Sequence, residues 1–246
     1  MYEQTGRYYA FFGPHAVVTS EEEQFFAHWA AGCRRALDFG AGLCGPALSL
    51  AQLGLEVLAF EPSPILAALA MDRLNRSDDV ARSITLVEGA VDAFTEEFSA
   101  DLILMRSVLM LLNDAERATA LNAVLRHAAP GARLIVDART AALSWSERGS
   151  LDEERRLGST TYRRRTQYSR DKSGGTNVHW TVEAERFGCA KTVASEHFAV
   201  RADTAEGLRE MLAARGFEVE KFFGAYDINQ PYTGVEETII AVARLT

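Results

Sequence analysis

Gly40, Gly42 and Gly45 form the spacing G-x-G-x-x-G immediately after a short apolar run, Ala36–Phe39, and before Pro46–Leu53, a helical pattern that Gly54 closes. A strand, a glycine turn and a helix in that order limit the folds open to the chain, because backbone without side chains lets a ligand approach the strand end closely. The spacing alone also describes a tight turn with close helix packing, so its surroundings carry the argument. Glu56–Glu61, Ile84–Val87, Asp101–Met105 and Arg133–Asp137 read as short buried strands. Helical patterns lie between them. Ser63 and Pro64 are an N-cap and first helical residue for a helix through about Leu74. Asp114 caps another with Leu121, Val124 and Leu125 on its apolar face, stopped by Pro130 and Gly131. Strands alternating with helices predict a doubly wound α/β fold, with a parallel sheet and helices on both faces.

The pattern changes after residue 140. From about Thr160 to Val200 polar residues alternate with aromatic or β-branched ones, interrupted by Lys172–Gly175 and by Gly188, which predicts three antiparallel strands. Asp203 and Glu206 form a capping-box pair ahead of Leu208, Met211 and Leu212; Gly216 closes that helix, and Phe217–Tyr226 and Thr238–Arg244 are two last strands. At the other end, Ser20 and Glu23 form a capping box for a helix carrying Phe25, Phe26 and Trp29, preceded by the aromatic segment Tyr2–Phe12. At 246 residues, one domain with an elaboration is expected. Residues 1–30 form an N-terminal lid segment and helix, 31–140 with 202–246 the ligand-binding core, and 141–201 an antiparallel insertion covering a substrate site.

Two acidic residues discriminate between ligands. Glu61 ends the second strand, where a carboxylate accepts hydrogen bonds from the hydroxyls of a ribose. Asp38 lies two residues before Gly40. A dinucleotide would bring a pyrophosphate to this turn, and a carboxylate beside it would repel the phosphates. S-adenosylmethionine has no phosphate and carries an ammonium and a sulfonium, which Asp38 attracts. The plainer role of Asp38 is to form the turn.

These motifs resemble the class I S-adenosylmethionine-dependent methyltransferases, over nearly the whole chain. LDFGAGLCG (37–45) looks like their first motif, LAFEPSP (58–64) like the acidic end of the second strand, and LVEGAVDAF (86–94) like the third-strand motif. DLILMRSVLMLLND (101–114) and PGARLIVDAR (130–139) look like the fourth and fifth strands, and AARGFEVEKFFG with ETIIAVAR like the closing pair. The resemblance implies a seven-stranded sheet whose last strand inserts antiparallel. It also implies that Asp38, Gly40, Gly42 and Gly45 hold the methionine tail, that Glu61 holds the ribose, and that Pro62 covers one side of the adenine. Ala90 and Val91 would meet the adenine edge. Here the chain departs from the family, which often has Gly-Asp where this sequence has Gly89-Ala90. Either Asp92 reaches in, or the adenine amine bonds water. Arg106 ends the fourth strand, where the family places cofactor-tail or substrate contacts; a buried arginine implies a partner carboxylate.

Methyl transfer is an in-line displacement at a carbon already activated by a sulfonium, so the protein must chiefly align the partners and exclude water. A base is needed only where the nucleophile loses a proton. The aromatic N-terminal segment resembles the lids of small-molecule members, with Tyr9 as the preferred contact; aromatic faces suit a sulfonium. His179 and Trp180 lie mid-strand in the insertion and point to opposite faces; His179 is the candidate base, ahead of His15 and His197. Asp137 and Arg139 end the fifth strand and could orient a polar substrate. Seven basic residues between Arg155 and Lys172, against Asp171 alone, either attract an acidic substrate or keep an edge strand solvated.

Charge and composition narrow the partners. Lys and Arg number 26 against 34 Asp and Glu, a net charge of −8, which disfavours nucleic acids and anionic membranes. MRSV follows the fourth strand instead of the Asn/Asp-Pro-Pro-Tyr type of sequence used on base amines. Cys33, Cys44 and Cys189 match no zinc pattern, so reduced thiols, a cytoplasmic location and no metal are expected. A small-molecule substrate and a monomer or homodimer complete the expectation. The competing readings are an enzyme of this fold that cyclises the cofactor's aminobutyryl tail and releases methylthioadenosine, a non-catalytic cofactor-binding partner, and an NAD-dependent dehydrogenase.

Overall fold

A computed structural model of the chain describes residues 3–13, 18–89, 97–140, 149–170 and 175–246. The strands of the main sheet are β1 (Arg35–Phe39), β2 (Glu56–Glu61), β3 (Ile84–Glu88), β4 (Ala100–Met105), β5 (Ala128–Thr140), β11 (Phe217–Phe223) and β12 (Thr238–Leu245). Their order is β11-β12-β5-β4-β1-β2-β3, with the two-residue β10 (Ala202–Asp203) beside β5. β12 runs antiparallel to both neighbours, and the other pairings are parallel. The helices are α1 (Gly6–Phe12), α2 (Ser20–Ala30), α3 (Gly45–Gln52), α4 (Pro64–Leu74), α5 (Asp114–Arg126) and α6 (Ala205–Ala213).

Burial on both sheet faces explains the unbroken apolar strands. Phe25 and Phe26 of α2, Leu48 and Leu50 of α3 and Leu74 of α4 pack on Val57, Ala59, Leu104 and Ile135. On the opposite face Leu121 and Val124 of α5, with Leu208 and Leu212 of α6, pack on Leu37, Leu58, Ile103 and Val136. Each such side chain contributes about 1.5–3 kcal/mol.

Several local expectations shift by one residue. Thr19, not Ser20, caps α2 in a box with Glu22, and Asn113, not Asp114, caps α5 in a box with Glu116. Adjacent residues compete for each cap, and the one with extended backbone (ψ 165° and 173°) takes it. Ser63 caps α4 as expected. Thr204 caps α6, and Asp203 instead receives two hydrogen bonds, 2.6 and 2.9 Å, from buried Arg117. Pro130 and Gly131 lie inside β5 rather than at a helix end, which falls at Arg126.

The insertion forms a second sheet of four strands, one more than its pattern predicts: β6 (Ser150–Leu157), β7 (Thr160–Arg170), β8 (Thr176–Arg186) and β9 (Cys189–Val200), in that order. β6 reads SLDEERRL and has no apolar alternation. It is an edge strand held by charge: Asp152, Glu153 and Glu154 stand directly opposite Arg165, Arg164 and Arg163, and each pair forms an ion bridge. The three arginines are thus matched strand to strand, which removes much of the charge an acidic substrate would need.

Side chains alternate across this sheet. Val182 and Ala194 pack with Phe12, Phe11, Tyr8 and Tyr162, so α1 lies on the face that carries Trp180. Buried Thr5, at the start of α1, donates its backbone N–H and its hydroxyl to Glu196 of β9. Among the described residues no helix is long and apolar enough to cross a membrane.

Candidate active site

The glycine turn is clipped to the end of β2. The amides of Gly40 and Ala41 donate to the Phe60 carbonyl at 2.9 and 2.8 Å. Gly40 has φ +77°, and a Cβ there would lie 2.6 Å from Val108 Cγ2, so only glycine fits. Gly42 has φ +55°, and Gly45 is buried at the start of α3. Glu61 accepts from the Gly42 amide at 2.7 Å and the Ser63 amide at 2.8 Å. These bonds fix its carboxylate at the strand end and leave lone pairs for a further donor. Burial raises its pKa against them. Pro62 is exposed between Glu61 and Ser63.

Asp38 is only 1% exposed, and its Oδ2 has no hydrogen-bond partner among the described residues. Burial pushes its pKa up to about 7, although Arg106 and the Ala47 amide favour the charged form. A buried carboxylate oxygen without a donor is costly. A ligand ammonium at the turn would satisfy it, whereas a pyrophosphate there would add negative charge beside Asp38. Glu61 suits the ribose of either ligand, so it is Asp38 that suits an adenosyl ligand with a cationic tail better than a dinucleotide.

Register places the remaining groups. Asp38 aligns with Leu104, Phe39 with Phe60, and Met105 with Val136. One step further, Glu61, Gly40, Arg106 and Asp137 form a row at the carboxyl ends of β2, β1 and β4 and along β5, the side of the sheet where ligands bind in open α/β folds. Arg106 donates to Glu22 of α2 at 2.5 Å, and its guanidinium lies 5.6 Å from the Tyr226 ring centroid. Its expected carboxylate partner is thus Glu22, which also closes the α2 capping box. Asp137 is buried and accepts from the Ser107 amide at 2.5 Å and the Tyr226 hydroxyl at 2.9 Å. Ser107 has φ +58°, a left-handed conformation that a serine adopts at some strain and that aims its N–H at Asp137. Burial raises the pKa of Asp137, opposed by Ser107, Tyr226, Arg106 and Arg139; burial likewise raises that of Tyr226.

Tyr9 joins the second sheet to this row. Its ring stacks on Trp180, centroids 6.1 Å apart at 21°. Burial pushes its pKa up to about 12, and it feels the charges of Arg106, Glu61, Arg164 and Asp137. Tyr9, Asp38, Glu61 and Arg106 are therefore brought together. His179 is not among them. It faces away from Trp180, where its ring stacks on His197 at 3.8 Å and Nε2 meets Ser195 Oγ at 2.9 Å. Burial and then His197 lower its pKa. Ala90 and Val91, like Asp92, His15 and Tyr2, lie outside the described residues. Glu22 and Tyr226 went unrecognised in the sequence: Glu22 is one of three consecutive glutamates, and Tyr226 looks like a strand end. No local pattern marks either.

Residues 37–134 match a family model described as a methyltransferase domain. No curated protein matches the chain significantly in sequence. Among solved structures, the CcbJ methyltransferase from Streptomyces caelestis superposes with a TM-score of 0.76 at 17% identity, over 99% of this chain and 97% of that one. The sugar N-methyltransferase KedS8 from a Streptoalloteichus species gives 0.75 at 18%, over 96% and 92%. CalS10, an amino pentose methyltransferase from Micromonospora echinaspora solved with bound S-adenosylmethionine, gives 0.65 at 20%, over 92% and 88%. At these identities the likenesses speak for the fold alone. The chain shares the fold of class I S-adenosylmethionine-dependent methyltransferases, and residues 37–134 are similar to a methyltransferase domain.

Proposed function

We propose that the protein transfers the methyl group of S-adenosylmethionine to a nitrogen or oxygen of a small molecule. The observation that carries this is Asp38: a buried acid whose Oδ2 has no partner among the described residues, beside a glycine turn and on the strand next to a second fixed carboxylate. When bound, the cofactor supplies a methyl group already activated on a cationic sulfur. The chain's residues then bind, orient and shield. Asp38 takes the ammonium, the side-chain-free turn at Gly40 and Gly42 leaves room for the tail, and Gly45 lets α3 pack close. Glu61 accepts from the ribose hydroxyls, and Pro62 covers one side of the adenine. Arg106 stands at the tail end of the row, held by Glu22. Tyr9 on Trp180 closes the cleft from above and offers an aromatic face to the sulfonium. Residues 1–30 act as lid, and 141–201 as roof, over the core of 31–140 and 202–246. His179, on the far face of the roof, takes no part.

A small acceptor is supported by this roofed site and by the net charge of −8, which disfavours nucleic acid. KedS8 and CalS10 share the fold and act on sugars by their descriptions, so sugars and amino sugars head the test panel. The protein is incubated with S-adenosylmethionine alone and then with the panel, and products are followed by mass spectrometry. S-adenosylhomocysteine forming only when an acceptor is added supports the proposal. Methylthioadenosine released without any acceptor would replace it with tail cyclisation.

A further inference from the structure

Four carboxylates stand along the carboxyl edge of the sheet, those of Asp38, Glu61, Glu22 and Asp137. Two guanidiniums, of Arg106 and Arg139, stand among them. Arg164, the other cation that Tyr9 feels, is already bridged to Glu153. The cofactor's tail brings a sulfonium, an ammonium and a carboxylate, one positive charge in all. The loaded cleft therefore keeps an excess of negative charge, which favours a cationic acceptor and repels a phenolate. Asp38 and Glu61 are taken up by the cofactor and Glu22 by Arg106. Asp137 has no such assignment, yet the fold aims two donors at it, one of them from a left-handed serine.

We infer that the acceptor is a small amine, admitted as its ammonium, and that Tyr226 passes the proton the ammonium must lose to Asp137. The inference rests on the methyltransferase reading above and deepens it. The phenolic oxygen of Tyr226 takes a proton from the ammonium nitrogen while its own proton crosses the 2.9 Å hydrogen bond to Asp137 Oδ2. The freed nitrogen lone pair attacks the methyl carbon, the carbon–sulfur bond breaks, and its electron pair stays on sulfur, now a neutral thioether. The methylated nitrogen leaves as an ammonium, and the proton on Asp137 returns to solvent. An aliphatic alcohol is too weak an acid to gain from a carboxylate as proton acceptor. Tyr226 touches the acceptor and is the catalytic residue; Asp137 acts through it and is a positioning residue. The groups facing Asp137 are the Ser107 amide and Arg106 beyond β4, Arg139 on β5, Tyr226 and Tyr9 on α1, and Glu22 of α2 faces Tyr226 and Arg106.

The test uses the full chain with S-adenosylmethionine and a panel of aminohexoses, aminopentoses and simple alkylamines, each paired with the alcohol of the same skeleton, plus phenols. Rates are measured from pH 6 to 10 for wild type, Tyr226→Phe and Asp137→Asn, with cofactor affinity by calorimetry and folding by thermal unfolding. Tyr226→Phe should lose about 100-fold in kcat below the acceptor's own pKa. It should recover to within a few-fold above that pKa, where the amine arrives already neutral. Asp137→Asn should follow the same course. A variant-to-wild-type ratio that stays constant with pH overturns the relay. Methylation landing on hydroxyls or phenols, or no amine methylated at any pH, overturns the acceptor class. In each of these cases intact cofactor binding leaves the methyltransferase reading standing, whereas wild type that fails to bind S-adenosylmethionine removes that reading itself.

Discussion

Replacing Asp38 by Asn keeps the side chain's shape and removes its charge. Burial lifts the Asp38 pKa from an ordinary 3.8 to about 7. The folded-state value lies above the unfolded one, so folding takes up a proton between them. Stability is greatest below the unfolded value and falls as pH rises through the folded one. At 1.36 kcal/mol per unit the full penalty is about 4 kcal/mol, roughly half of it crossed between pH 5.5 and 8. Thermal unfolding of the ligand-free wild type should fall between those pH values by about 2 kcal/mol more than that of Asp38→Asn. In a chain of this size that is about 4–8 °C. Asp137 and Glu61 also carry raised pKa values, so the difference between the two proteins isolates Asp38. Affinity for S-adenosylmethionine moves the other way. Losing a charge-assisted hydrogen bond worth about 1.5–3 kcal/mol weakens binding by about 10- to 150-fold. Calorimetry at pH 8 reads this directly. A variant that binds the cofactor as tightly as wild type, or whose stability follows wild type across the pH range, would refute the argument.

Gly40→Ala places a Cβ against Val108 at 2.6 Å in a left-handed backbone; a loss of at least about 2 kcal/mol is expected by denaturant unfolding. Arg117→Leu removes the cation bound to Asp203 and to the carbonyls of Leu109 and Leu112. The uncompensated Asp203 should cost about 3–5 kcal/mol, restored in part by Asp203→Leu in the same chain. Tyr9→Ala deletes the ring stacked on Trp180; acceptor KM should rise about 10-fold, with Tyr9→Phe near wild type in steady-state assays.

The core was legible because its signals are local. The glycine turn, Asp38, Glu61 and the apolar strands lie close together in sequence, and strand–helix alternation leaves few topologies open. The edge strand β6 was not legible, because DEER has no apolar period; its strand conformation follows from the arginines opposite it. Caps slipped by one residue where two capping residues are adjacent, since the choice depends on how the chain enters the helix. The basic run reads from sequence as a solvated edge or an anion-attracting surface, and the acids of β6 that pair Arg163, Arg164 and Arg165 fit the former.

Residue types and their order thus determined the fold class, the turn and the two carboxylates beside it, because each depends on neighbours within a few positions. Tertiary structure alone decided that Arg106 belongs to Glu22, that Tyr226 bonds Asp137 from 89 residues away, and that Trp180 rather than His179 looks into the cleft. Those outcomes turn on strand register and on which face of a sheet is covered, and a one-residue change in register would reverse them.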